Sequence, residues 1–239
     1  MKRVFATTSN SIAFDEAVRA LAGRGAREAS WLLLCGAAGH GKTALARHYA
    51  GEEGGLYLRA KAHWTQAAFL AELAAGLGQV PEGRNAANFD LAARALTARP
   101  RPLVVDEVDH VLDRRQTLEC LRDLSDVTGA SIVIVGMEEA ERRLKRFPQV
   151  YSRISQVVRT KAQGRDFVAA ILSDLCEVAV EDGVAEVVLA QTGGHLREIL
   201  DAIATIEAIG RRQGGDPLVT AAMARAVPLT GGRAARPGR

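Results

Sequence analysis

No apolar run in this chain approaches the length of a bilayer span, which argues against a protein embedded in a membrane through helices. The opening MKRVFATTSNS carries two cations but neither the apolar stretch nor the cleavage site of a secretory signal, so a cytoplasmic location and no membrane partner are expected. Cysteine is scarce. Its three copies, Cys35, Cys120 and Cys176, are far apart, odd in number and set in apolar patterns, which suits reduced core thiols better than a disulfide framework or a zinc site. Neither sign of charge dominates either: 31 Lys and Arg against 28 Asp and Glu leave a formal net charge of +3, which permits a nucleic-acid partner without requiring one.

What the chain does have is enough apolar sequence, 48% of 239 residues, to bury the core of one large domain or of one domain with a small appendage. Its most informative stretch is WLLLCGAAGHGKT at residues 31–43, an apolar run of strand length that breaks into a glycine-rich turn closed by Lys-Thr. The spacing Gly36, four residues, Gly41-Lys42-Thr43 is that of a P-loop, and TALARHYA at residues 43–50 continues it as a helix. The residue types follow from phosphate chemistry. Gly36, Gly39 and Gly41 let the backbone approach an anion, so that N–H groups of Gly36, Ala37, Ala38, Gly39, His40, Gly41, Lys42, Thr43 and Ala44 can point at it. Lys42 would bridge the β- and γ-phosphates and the Thr43 hydroxyl would ligate Mg2+.

Around this loop the periodicity predicts alternating elements. A helix at residues 11–22 precedes the first strand; a strand at residues 55–60 follows, then helices at residues 65–77, with Thr65 as N-cap, and 89–97. PLVVDEVDH at residues 102–110 is a short apolar strand ending in two acids, the Walker B pattern, in which Asp106 would hold Mg2+ through water and Glu107 would polarise the attacking water. A helix at residues 116–127, a strand at 131–136 and a last strand at 155–159 complete a parallel sheet. Beyond residue 162 only helices are expected, at residues 167–175, 184–191 and 196–211, before a basic tail that holds Arg233, Arg236 and Arg239.

With these motifs in place the chain resembles an AAA+ ATPase with its helical lid, a resemblance supported further by Tyr151-Ser152-Arg153 and by Gly-Gly-His-Leu-Arg at residues 193–197. Within that class, the compact size, GMEE after the fourth strand and GGHLREI look like the transposition target-selection ATPases, of the phage Mu protein B and TnsC kind. The resemblance implies an α/β fold, an AAA+ P-loop NTPase with a parallel five-stranded sheet flanked by helices and followed by a small helical lid. The implied boundaries are a nucleotide-binding core over residues 1–162, a lid over 163–228 and the tail over 229–239.

The same resemblance implies ATP and Mg2+ as cofactors and an ATP-dependent homo-oligomer, a ring or helical filament, that binds double-stranded DNA without sequence preference and stimulates a transposase. It places Glu107 and Lys42 in catalysis with Arg153, which would enter the neighbouring subunit's site, and Arg197, which would contact the γ-phosphate in its own. Arg146 is a rival to Arg153. Where many members carry Asn, Thr or Ser after the fourth strand, this chain has Gly136-Met137-Glu138, which implies slow hydrolysis. Arg59, Lys61, His63 and Trp64 gather cations beside an aromatic after the second strand and are the expected DNA contacts, with the tail as fallback. Three alternatives stay open: a helicase loader, a secretion-system ATPase and a regulatory NTPase switch.

Overall fold

The computed structural model describes residues 1–2, 4–214 and 216–231. Helix α1 (Ser9–Ala22) leads into strand β1 (Trp31–Gly36), followed by α2 (Lys42–Glu52), β2 (Leu56–Arg59), α3 (Gln66–Gly76), α4 (Asn85–Ala98) and β3 (Leu103–Asp106). A 3-10 turn at Val108–His110 precedes α5 (Arg115–Thr128), β4 (Ile132–Gly136), the short α6 (Ala140–Leu144) and α7 (Pro148–Tyr151), and β5 (Ile154–Thr160). The remainder is α8 (Arg165–Leu175), β6 (Ala179–Val180), α9 (Val184–Thr192), α10 (Leu196–Arg211), β7 (Leu218–Val219) and α11 (Ala221–Arg225). Among the described residues no helix is long and apolar enough to cross a membrane.

The chain divides into two compact units. The first comprises Ala13–Ala37 and Lys42–Thr160 and holds the five-stranded sheet, in the order β2-β3-β4-β1-β5 with every pairing parallel. The three inner strands, WLLLCG, LVVD and IVIVG, are buried at every position because helices cover both sheet faces, which removes the alternation of a half-exposed strand. One face packs Leu33, Cys35, Val105 and Ile134 under α3, α4 and α5; the other packs Leu32, Leu34, Val104 and Val133 against Phe14 and Leu21 of α1 and Leu45 and Ala46 of α2. Trp31 is fully buried, and its indole N–H donates to Ser125 Oγ at 2.9 Å, so the one polar atom of this large core side chain is satisfied. Thr65 caps α3 as its sequence suggests, accepting from the Ala68 N–H. The cysteines are unpaired and buried, and burial pushes the Cys120 thiol up to about 11.

The second unit comprises Met1–Ile12, Ala38–Gly41 and the chain from Lys161 on. Helices α8, α9 and α10 surround Val168, Ile171, Val188, Ile199, Ile203 and Ile206. This part is not wholly helical as the periodicity predicts: β6 and β7 form a two-stranded parallel ladder that pairs Ala179 with Leu218 and Val180 with Val219. Segments of two residues carry no period, so the ladder leaves no trace in the pattern. Of the basic tail expected over residues 229–239, the part from residue 232 on, with Arg233, Arg236 and Arg239, lies outside the described residues.

The Gly-Gly pair between α9 and α10 has a structural task. Gly193 closes α9 in the left-handed conformation, and Gly194, with φ of 76°, stands so close to Gln163 that an added Cβ would lie 2.2 Å from its carbonyl oxygen. Gly194→Ala is therefore expected to destabilise the helical unit by about 3 kcal/mol, from left-handed strain and backbone overlap together. Differential scanning calorimetry would check this, with a lowered transition expected.

Candidate functional site

Strand β1 runs out at Gly36 and α2 begins at Lys42; the turn between them is made possible by positive φ at Gly36, Gly39 and Gly41. A Cβ on Gly36 would meet Thr160 Oγ1 at 2.2 Å, and one on Gly41 would meet Leu196 Cδ2 at 2.5 Å, so neither position has room for a side chain. Lys42 is buried and its ammonium donates to the carbonyls of Gly36 and Ala37, at 2.7 Å each. The cation is thus folded onto its own loop. Thr43 and Ala44 are exposed in the first turn of α2. At the tip of the loop, the Arg197 backbone N–H donates to Gly39 O at 3.1 Å, and the rings of His40 and His195 lie 5.1 Å apart. The start of α10 therefore braces residues 38–41, while the Arg197 side chain is exposed.

Strand β3 delivers the acids. Asp106 is 2% exposed, and both of its oxygens are engaged: Oδ1 accepts from the Glu107 N–H at 2.7 Å and Oδ2 from the Tyr57 hydroxyl at 2.6 Å. Burial, and then the bond to Asp106, pushes the Tyr57 phenol up to about 12, and the Arg47 guanidinium lies 4.9 Å from the centre of its ring. Glu107 is the one non-glycine with positive φ among the described residues, at 54°. Such a backbone is uncommon for this residue type and turns the side chain off the strand's line. Its carboxylate pairs with Arg59, at the end of β2, and lies 3.5 Å from His110 Nε2. The Arg59 guanidinium, with a smaller contribution from His110, holds Glu107 below the usual carboxylate range.

Tyr57, Arg47 and Asp109 are participants that the sequence pattern did not single out. Asp109 explains the unusual segment after β4: its Oδ2 accepts from the Met137 N–H at 2.7 Å, and a Cβ on Gly136 would stand 2.7 Å from that of Ala140 and 3.0 Å from Val108 Cγ1. Glycine at 136 is set by packing.

The expected DNA contacts do not form one cationic surface. Trp64 is 1% exposed, its indole N–H donating to Glu72 Oε2 at 2.7 Å, so no base can stack on it. Lys61 is paired with the same glutamate at 2.8 Å, and Arg59 with Glu107; only His63 is both exposed and outside these pairs. Glu72 lies one helix further on, where local charge counting does not reach. The two arginines proposed as trans-acting groups also differ. Arg153 makes a two-pronged pair with Asp126 of its own chain, at 2.7 and 2.8 Å, whereas Arg146 is exposed and makes no ion pair among the described residues.

Residues 26–144 match the family model described as AAA domain. A Staphylococcus aureus protein described as a potential ATP-binding protein is 40% identical over 52 residues, which is 22% of this chain and 18% of that protein, so the chain matches under a fifth of that relative's length. Among solved structures, the ORC2 protein of Aeropyrum pernix, in ADPNP–ADP complexes, superposes with a TM-score of 0.73 and 16% identity over 94% of this chain and 69% of its own. Cdc6p from Pyrobaculum aerophilum gives 0.65 and 18% over 90% of this chain and 66% of its own. The Aeropyrum pernix ORC1 protein, solved in complex with DNA, gives 0.58 and 21% over 90% and 62%.

At these identities the superpositions speak for the fold, a parallel five-stranded P-loop sheet with a helical lid. They overturn the assignment to transposition ATPases, and with it the transposase partner, the role in DNA transposition and the target-selecting filament. The overall fold aligns instead with ORC and Cdc6 proteins. The strings that had suggested transposition have local causes: GMEE begins with a glycine confined by Ala140 and Val108, and GGHLREI with the Gly193-Gly194 helix junction.

Because Arg59 is the leading cause of the lowered Glu107 pKa, Arg59→Ala should return that carboxyl toward the ordinary glutamate range. Carbon-13 NMR of glutamate-labelled protein, titrated through the acid range, would show the Glu107 midpoint rise; an unmoved midpoint would remove Arg59 as the cause.

Proposed function

We propose, from the premise that the chain is an ATP-binding AAA+ domain, that it is an ATP-driven switch of the replication-initiator and loader kind, acting on duplex DNA in the cytoplasm. The observation that carries this reading is the placing of a tightly confined glycine-rich turn with a buried lysine at the end of β1, and of an Asp-Glu pair at the end of the parallel strand β3. The donor set fits MgATP: N–H groups of residues 36–44 and the Lys42 ammonium for phosphate oxygens, with the Thr43 hydroxyl and the Asp106 carboxylate for a cation and its water. Bound MgATP supplies the γ-phosphoryl group that is transferred to water. The Lys42 ammonium would exchange the carbonyls of Gly36 and Ala37 for phosphate oxygens, and Arg197 would serve the nucleotide of its own subunit.

Glu107 is the general base, and it is restrained. Its carboxylate is held by Arg59, an exposed side chain at the strand end, so an anion that competes for Arg59 frees the base. Phosphates of a duplex are such anions. The ORC1 protein solved in complex with DNA supports the choice of DNA, with His63, and Arg59 and Lys61 once their ion pairs exchange, as contacts. Arg146, exposed and outside any ion pair among the described residues, is preferred over Arg153 as the group presented to a neighbouring subunit's nucleotide.

The reading is tested by ATP hydrolysis with and without duplex DNA. Lys42→Ala should weaken nucleotide binding about 10- to 100-fold, the loss of one charge-assisted hydrogen bond. Glu107→Gln should bind normally and lose about 10²- to 10⁴-fold in turnover. Arg59→Ala should hydrolyse faster than wild type without DNA and gain nothing from its addition; wild-type turnover indifferent to DNA would remove DNA from the proposal.

A separate comparison decides between the two arginines. Arg146→Ala should lower turnover by about 10³-fold at unchanged nucleotide affinity. Arg153→Ala should lose about 1 kcal/mol of folding stability through the Asp126 pair, with little change in turnover. The reverse assignment of the two phenotypes would return Arg153 to the trans role.

A further inference from the structure

The Asp106 carboxylate, on the reading above, faces a divalent cation through water, yet it is not held in place by β3 alone. Strands β2 and β3 run parallel with Tyr57 opposite Val104 and Arg59 opposite Asp106. Residues two apart share a sheet face, so Tyr57, Val104 and Asp106 lie on the same side, the side that packs under α2. From there the Tyr57 phenol reaches diagonally along the sheet and donates to Asp106 Oδ2 at 2.6 Å, while the Glu107 N–H fixes Oδ1 at 2.7 Å. Each carboxylate oxygen has two lone pairs, and each gives one to a protein donor. The plane of the carboxylate is thereby set and one lone pair on each oxygen is left over. The phenol is itself restrained, by the Arg47 guanidinium of α2 lying 4.9 Å from its ring centre.

We infer that Tyr57, steadied by Arg47, is a positioning residue for the cation: its hydroxyl orients Asp106 for a metal-bound water and so sets how much Mg2+ the protein needs to bind nucleotide. This inference rests on the proposed MgATP site. It concerns a side chain outside both the glycine turn and the acidic end of β3, on a neighbouring strand 49 positions away from the acid it holds. The arrangement is that of an outer partner to a metal-ligating group, whose removal typically costs 10- to 100-fold in metal affinity.

The test measures binding of a fluorescent ATP analogue by anisotropy, once in EDTA and once across a Mg2+ titration, with thermal melts as a control on folding. Tyr57→Phe, which deletes one oxygen, should leave affinity in EDTA unchanged and raise the Mg2+ midpoint by about tenfold. Arg47→Gln, which leaves the phenol in place but removes its stacked cation, should shift the midpoint in the same direction by less. A Mg2+ midpoint for Tyr57→Phe within about twofold of wild type, below the loss such partners usually cause, would overturn the inference. So would an equal loss of affinity in EDTA and in Mg2+, which is the mark of a merely structural tyrosine. A wild-type chain that binds no nucleotide under either condition would overturn the MgATP reading itself, and the inference with it.

Discussion

A parallel strand buried on both faces has no place for a polar side chain except beyond its end, and this constraint governs where chemistry can occur in the molecule. Strands β1, β3 and β4 are apolar along their length and change character only at their last residues, Gly36, Asp106 and Gly136. Because every pairing in the sheet is parallel, all of these ends lie at one edge. The glycine turn, the two acids and the tight Gly136 junction are therefore gathered by topology, without any need for them to be near in sequence. Arg59, the last residue of β2, joins the same edge and so meets Glu107.

Crowding charges at one edge has a second consequence, which is that cations there find carboxylates of the same chain. Arg59 is taken by Glu107, Lys61 by Glu72, Arg143 by Asp113 and Arg159 by Glu141. A segment that is basic in sequence is thus close to neutral in space, in keeping with a net charge of only +3. Exposed pairs of this kind are individually weak and screened by salt. They hide cationic surface from casual contact, but a polyanion that offers many phosphates at once can exchange with them.

The elements themselves were largely legible in the sequence. The apolar runs of β1, β3 and β4 stand out against their glycine and acid ends, Thr65 marks the start of α3, and the period of α10 gives both of its ends, Leu196 and Arg211. The P-loop spacing and the Asp-Glu strand end are equally local signals. What the sequence withheld is pairing at a distance. Nothing near Trp64 announces Glu72, nothing near Arg153 announces Asp126, and nothing near Asp106 announces Tyr57, because each partner comes from another element brought up by the fold. The same limit produced the error about family. Short strings such as GGHLREI report helix ends and close backbone approaches, whereas superposition compares the order and spacing of all elements, that is, the fold.

The backbone at Glu107 ties these threads together. A glutamate in the left-handed region is held there at a conformational cost, which the surrounding structure must offset. The Asp106 carboxylate supplies part of the restraint by accepting the Glu107 N–H, and Asp106 is in turn fixed by Tyr57. The side chain supplies the rest by its pair with Arg59, which is exposed and therefore the weaker of the two holds. The residue thus has a firm backbone anchor on the buried side and a loose side-chain latch on the solvent side. Such an asymmetry lets the carboxylate swing without disturbing the strand that positions it, and the latch is the part a solvent-borne anion can reach.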